Sequence, residues 1–357
     1  MLKIKGGYIM YKHNRTAKQK AYESSVQSAA AGNVHPVLAY MMITRECNMS
    51  CRYCIAQHKL NDDMGGLEEW KRAADIAYML GNRGICFGGG EPLLKPYLLD
   101  LVDYVSARDT IVSIATNGHG LNEKLLHALD EAGLDNLGIS IDTLGNDGQP
   151  QFGKDLTPEL ERILRYIAES KFRFNTSVAT IVTKYNLPIL PEMLHYFSAL
   201  GMTIDFMLMV RGVGNHSRTE ELAFGEEDLD EVERVFEELL SMKSRAAVCH
   251  DFSNRLRLKA KIGICTPAQV YQMHMEDPLG HNCKGGVNDL HVDNDGRISI
   301  CETGFASSTH IFDLNSIEDY HALIKRNRTV TDQCKSCPWT YRWILTHLEE
   351  TGGFIKL

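Results

Sequence analysis

From His35 onward the chain alternates short apolar runs with longer segments whose apolar residues recur every three or four positions. Leu38–Thr44, Gly84–Gly88, Thr110–Thr116, Asn136–Ile141, Phe172–Val182 and Thr203–Val210 have the length and apolar character of strands. Between them Leu67–Leu80, Pro96–Ala107, Asn122–Ala132, Thr157–Ser170 and Leu187–Leu200 carry helical spacing, and a last helix, Glu226–Met242, follows. Six strands alternating with helices through short connections predict βα units around a parallel sheet. Six units fall short of the eight that close a barrel. The predicted fold is therefore α/β, a partial (β/α)6 TIM-like barrel open on one side.

The rhythm stops after Met242. Further on, Asp289–Val292 and Arg297–Cys301 flank Asp293-Asn294-Asp295-Gly296, a hairpin signal, and helices are predicted at Ser316–Arg326 and near Thr340–Glu350. The chain thus divides into an N-terminal arm (1–35, polar and without clear periodicity, a short helix or an extended arm), a barrel core (36–245), and a linker with a small hairpin-and-helix domain (246–357).

Composition narrows the partners. Hydrophobic residues make up 44% and charged residues 24% of the 357, ordinary for a globular chain. The net charge of −8 gives no general attraction to a phosphate backbone, which argues against nucleic acid as the main partner. No apolar run approaches the roughly 18 residues of a membrane span, and the scattered Lys and Arg of residues 1–19 do not read as a signal peptide. A cytoplasmic location follows as an expectation, and there disulfides are disfavoured. The ten cysteines then need another reason. Seven of them are grouped: Cys47, Cys51 and Cys54; Cys283 and Cys301; Cys334 and Cys337. Such grouping reads as metal ligation.

Cys47-Asn-Met-Ser-Cys51-Arg-Tyr-Cys54 directly follows the first predicted strand. Three thiolates at this spacing fit a tight loop around one corner of a cubane cluster, whose fourth iron keeps an open site. A Cys3His zinc site completed by His58 is the competing reading of the loop alone. Its place at the C-terminal end of a strand, where barrel active sites lie, speaks for catalysis. Phe87-Gly88-Gly89-Gly90-Glu91-Pro92 ends the second strand. Its glycines allow close backbone approach to a ligand, and Glu91 offers an anion to an ammonium group. A plain turn or a phosphate nest is the alternative, although neither a P-loop nor a GxGxxG follows. In the C-terminal part, the pair Cys283 and Cys301 around the hairpin and the pair Cys334 and Cys337 suit either a zinc knuckle or a fully ligated cluster.

Over residues of about 38 to 245 these motifs resemble the radical S-adenosylmethionine (SAM) superfamily. CxxxCxxC is matched completely, Tyr53 fills the aromatic position before the last cysteine, and Gly89 to Pro92 match GGEP. The resemblance implies SAM, a [4Fe-4S] cluster with an open iron on Cys47, Cys51 and Cys54, and Gly89, Gly90 and Glu91 holding the methionine amine. It also places Thr116 and Asn117, Ser140 and Asp142 (a ribose contact), and Val210 and Gly212 (near the adenine) at the cofactor, each an ordinary strand end otherwise. The later cysteines look like the twitch domain, a shortened SPASM domain whose four cysteines hold one auxiliary [4Fe-4S] cluster. No cysteine follows Cys337, which argues for one such cluster rather than two.

The implied activity is reductive cleavage of SAM to a 5′-deoxyadenosyl radical. Hydrogen abstraction would follow from a small-molecule substrate such as a sugar or aminocyclitol, with a flavodoxin- or ferredoxin-type protein as electron donor. Peptide maturation is a second reading, for which residues 1–35 look short of a peptide-recognition domain. A non-catalytic iron–sulfur or zinc protein is the third. Cys249 and Cys265 stand alone, as hydrogen-atom donors of an epimerase or as small buried side chains, and Cys86 inside the second strand reads as packing. Arg211, His216, His250 and Asp251 could meet substrate or lie on the surface.

Overall fold

The structure, a computed structural model, describes residues 15–54, 63–145, 154–208, 220–243, 286–299 and 306–331. Six βα-type strands run in chain order: β1 (Leu38–Thr44), β2 (Gly84–Gly89), β3 (Ile111–Thr116), β4 (Asn136–Ser140), β5 (Asn175–Val182) and β6 (Thr203–Leu208). Helices α2 (Leu67–Met79), α3 (Leu98–Ser106), α4 (Glu123–Glu131), α5 (Pro158–Glu169) and α6 (Leu190–Ala199) connect them, and α7 (Leu229–Lys243) follows β6. Each strand pairs in parallel with the next, so the order β6-β5-β4-β3-β2-β1 never reverses. Winding in one direction puts all the crossover helices on one face, the arrangement of a barrel rather than of a doubly wound sheet. The sheet is not closed, and the predicted partial barrel is the observed fold.

Burial alternates along the strands. On β1 Ala39, Met41 and Ile43 are buried in the core shared with the helices, whereas Leu38, Tyr40 and Met42 on the other face are partly exposed. The helices meet that core with matching stripes. Helix α5 buries Leu160, Ile163, Leu164 and Ile167, the i, i+3, i+4, i+7 spacing of an amphipathic helix. Thr157 caps it by accepting from the Leu160 N–H at 3.2 Å, with Pro158 in the first turn.

Helix α1 (Arg15–Ala30) forms where a short helix or arm was expected; its buried apolar side chains are Tyr22, Val26 and Ala29, too sparse for a clear period. Its Lys18 is also drawn under the sheet, donating to Asp135 Oδ2 at 2.8 Å and to the Gly133 carbonyl at 3.3 Å. Strand β5 begins at Asn175, not Phe172. Phe172 and Phe174 stack at 4.9 Å instead, and Arg173 binds Asp130 with its backbone N–H (2.7 Å) and its Nε (2.9 Å). Finally, β9 (Ala306–His310, Ala-Ser-Ser-Thr-His) has no apolar alternation to announce it.

The predicted hairpin is β7 (Asp289–Val292) and β8 (Arg297–Ser299), turning at Gly296 with φ +79°. It extends the barrel sheet. Strand β7 pairs in parallel with β1, Leu38 opposite Asp289, and β8 and β9 continue antiparallel to give nine strands. Helix α8 (Ile317–Thr331) continues five residues past the predicted Arg326. The predicted helix near Thr340–Glu350 lies outside the described residues. Among the described residues no helix is long and apolar enough to cross a membrane.

Candidate active site at the C-terminal ends of the strands

The cysteine loop leaves β1 through an irregularity in the pairing with β2, where Met42 faces Gly88 but Thr44 faces Gly89. Beyond it the two strand ends close on each other. Gly90 N–H donates to the Thr44 carbonyl and Glu91 N–H to the Glu46 carbonyl, both at 2.7 Å. This contact explains the glycine pair. Gly89 has φ +133°, and a Cβ on it would stand 2.2 Å from the Thr44 carbonyl oxygen; one on Gly90 would stand 2.0 Å from that of Glu46. The close approach that the glycines permit is therefore, first, to the backbone that leads into Cys47.

Glu91 is fully buried. Its Oε1 accepts from Thr116 Oγ1 (2.7 Å) and Leu93 N–H (3.0 Å), and its Oε2 from Asn117 N–H (2.7 Å). Burial pushes the carboxyl pKa up, against these donors and Lys154. The carboxylate expected to face an ammonium group serves three protein donors and locks the end of β2 to the end of β3. Thr116 and Asn117 share that task. Asn117 continues it to the cysteine loop, its Nδ2 donating to Asn48 Oδ1 at 2.7 Å and lying 3.9 Å from Cys47 Sγ.

The other end of the loop is held from β4 and β5. Asp142, fully buried just past β4, accepts from Tyr53 O–H and Lys154 N–H (2.8 Å) on Oδ2 and from Ile181 N–H (2.9 Å) on Oδ1. Lys154 Nζ donates to Tyr53 Oη at 2.9 Å. Burial, with Asp142 beside it, raises the Tyr53 pKa well above that of a free phenol. The carboxylate of Asp142, a residue expected near the ribose of a cofactor, anchors Tyr53. Ser140, at the end of β4 opposite Ala179, is partly exposed on the face away from the helices.

Cys51 is buried, Cys54 half-buried and Cys47 exposed. Burial pushes the Cys51 thiol up, Lys154 pulls it down, and Asp142 and the other two thiols push it up again; burial likewise raises Cys47. The thiols are thus close enough to feel one another's charge. Among the described residues no three His, Cys, Asp or Glu side chains are arranged around a single ion. A cubane does not ask for that, since each thiolate binds its own iron. A compact loop with three mutually coupled thiols beside a cation fits such a cluster.

Several expected site residues lie outside the described residues: His58, Val210, Arg211, Gly212, His216, Cys249, His250, Asp251, Cys265, Cys283, Cys301, Cys334 and Cys337. Cys86 is buried on β2. Two groups escaped the sequence reading. Lys154 has no motif around it, and its partners Asp142 and Tyr53 are distant in sequence. Arg45 donates from Nε to Asp293 Oδ1 and Asn294 Oδ1, each at 3.1 Å, residues that read only as a hairpin turn.

Comparison with known proteins agrees with this geometry. Residues 41–197 match the model of the Radical SAM superfamily. The uncharacterized protein MJ0907 of Methanocaldococcus jannaschii is 33% identical over 177 residues, 47% of this chain and 61% of that protein, so the chain spans under two thirds of that relative's length. The AdoMet-dependent heme synthase of Oleidesulfovibrio alaskensis is 24% identical over 270 residues, 72% of this chain and 68% of the synthase. The crystal structure of Streptococcus suis SuiB bound to S-adenosylmethionine superposes with a TM-score of 0.61 at 14% identity, covering 84% of this chain and 69% of SuiB, which shows a shared fold. With CxxxCxxC following β1 and Gly-Gly-Glu-Pro at the end of β2, in an open barrel of parallel strands, residues 41–197 form a radical SAM domain.

Proposed function

We propose that the protein binds SAM and a [4Fe-4S] cluster at the top of the barrel and uses them to oxidise a small polar substrate. Cys47, Cys51 and Cys54 would hold the cluster, and the backbone of Gly89 to Glu91 and the strand ends at Ser140, Val210 and Gly212 would line the SAM site. When bound, the pair supplies a 5′-deoxyadenosyl radical that takes one hydrogen atom from the substrate. Cys283, Cys301, Cys334 and Cys337, within a C-terminal unit of residues 246–357, would hold a second cluster. That cluster would accept the electron that leaves, with a proton, to complete the oxidation. A flavodoxin or ferredoxin is the proposed reductant.

The observation that carries the substrate class is the face of the sheet turned away from the helices. In register across β3, β4 and β5, Asn136 Nδ2 donates to Ser113 Oγ at 3.1 Å and Asn175 Nδ2 to Asn136 Oδ1 at 3.4 Å. Across β1 and β7 the rings of Tyr40 and His291 lie 5.8 Å apart, and His291 Nε2 is 3.0 Å from Asp289 Oδ2. The hydroxyls, amides and imidazole–carboxylate pair on this face, most of them toward the N-terminal ends of the strands, favour a ligand rich in hydroxyl or amino groups. Peptide modification is the second reading.

Transfer of deuterium from labelled substrates into 5′-deoxyadenosine tests the function. Labelled polyols or amino sugars should transfer it, and transfer from peptides alone would overturn the substrate class. Anaerobic reconstitution should give about eight irons per chain, two four-iron clusters.

A further inference from the structure

Lys154 is not a surface lysine that happens to lie nearby. Its backbone N–H donates to Asp142 Oδ2 at 2.8 Å and its carbonyl accepts from Asp142 N–H at 2.6 Å, so the main chain is clamped on both sides. Its ammonium is fixed as well, 2.9 Å from Tyr53 Oη and 5.1 Å from the centre of that ring. Tyr53 is the residue immediately before Cys54. A cation delivered from beyond β4 is thereby held against the loop that carries all three thiols.

We propose that Lys154 is a built-in positive charge that raises the reduction potential of the cluster on Cys47, Cys51 and Cys54, and so eases its reduction. The proposal rests on the cluster reading of those cysteines. Three thiolates around a cubane leave a net negative charge that grows by one when the electron arrives. A nearby cation favours the more negative, reduced state. Asp142 works in the opposite sense, but its carboxylate is taken up by the Tyr53 O–H and two backbone amides, whereas the Lys154 ammonium is turned to Tyr53, beside Cys54. Burial disfavours the ammonium, yet Asp142 and the three thiols outweigh it and keep the lysine charged. The neighbouring loop cation, Arg52, is matched by Glu221. Lys154 is thus a positioning residue for charge, with no need to touch the substrate.

The test is an EPR-monitored redox titration of the reconstituted full chain without SAM, following the signal that Cys51→Ala removes. Lys154→Gln should take up iron like the wild type, but at a fixed potential its reduced-to-oxidised ratio should fall about tenfold, about 59 mV for a one-electron couple. Lys154→Arg should restore the ratio. Asp142→Asn, which leaves Lys154 uncompensated, should move it the other way, so the proposal stays testable even if Lys154→Gln assembles poorly. An unshifted potential in Lys154→Gln overturns the proposal. If SAM affinity is lost at that unshifted potential, Lys154 is a ligand contact instead. A wild-type signal that survives Cys51→Ala is a different failure, because it removes the cluster assignment itself.

Discussion

The cysteine loop is gripped from both sides by polar side chains, and the two grips differ in how their charges close. Upstream, each cation has its own carboxylate: Arg45 pairs with Asp293, and Lys95 with Asp63 at 2.8 Å and Glu46 at 3.4 Å. Downstream, the carboxylate of Asp142 is shared among a phenol and two backbone amides, and the Lys154 ammonium is turned to Tyr53 and the thiols. The upstream grip joins β1 to the hairpin turn and fixes where the loop runs. The downstream grip fixes position and also turns its cation toward Tyr53, beside Cys54, while its carboxylate is taken up by other donors. A pair closed on itself holds geometry, whereas a cation turned outward reaches what lies beyond it.

The largest effect should come from removing what both grips serve. Cys51→Ala should cost more than the roughly 100-fold that changes to supporting residues reach, measured as 5′-deoxyadenosine formed per chain. Gly90→Ala should come close to it, because its Cβ cannot share space with the Glu46 carbonyl and the loop must move away from β2. Iron uptake after reconstitution separates the two causes. Both variants should lose iron, but only Gly90→Ala should also lower the melting temperature before any iron is added.

Next come the grips themselves. Asp142→Ala strips a phenol and two amides of their acceptor, leaves the Lys154 ammonium without its neighbouring anion, and should cost about 3 kcal/mol of folding stability. Asp293→Ala leaves Arg45 its bond to Asn294 and should cost about 2 kcal/mol. Chemical denaturation of the two variants checks the ranking. The comparison breaks if Asp293→Ala shifts the cluster potential as far as Asp142→Ala does, since the upstream grip would then set charge as well as place.

The sequence showed some parts of this arrangement better than others, for physical reasons. Strand β1 was predicted to the residue because Leu38–Thr44 is a short continuous apolar run, which is a local signal; that Ala39, Met41 and Ile43 alternate into the core shows only in the fold. Cys47, Cys51, Cys54 and Gly89 to Pro92 stood out by their fixed spacing within single turns, and the roles expected of them came from the family resemblance. Glu91 was visible as a residue but not in its use, because its partners Thr116 and Asn117 come from the next strand. Lys154 and Arg45 were invisible, since a charge has no periodicity and their partners are set by topology. Asp293 and Asn294 hid behind a correct turn assignment: the same residues make the hairpin and bind Arg45.

The smallest effect probes the upstream grip through pH. Burial pushes the Asp63 carboxyl up, but bonds from Lys95, Asn294 and Thr44 outweigh it and hold its pKa below the ordinary range. A carboxyl whose pKa is lower folded than unfolded adds stability that is full above the unfolded value, about 3.9, and fades as pH falls through the folded value. Asp63→Asn removes that contribution. Because Asp63 and Lys95 are partly solvated, the loss near neutrality should be about 1 kcal/mol or less. The gap in melting temperature between wild type and Asp63→Asn should hold steady from pH 7 to about 5 and narrow below about 4, as the wild-type carboxyl takes up its proton. A gap that stays open down to pH 3 would mean that Asp63 acts by shape alone. The upstream grip would then owe its strength to Arg45 and Asp293, and charge matching at Lys95 would be incidental to it.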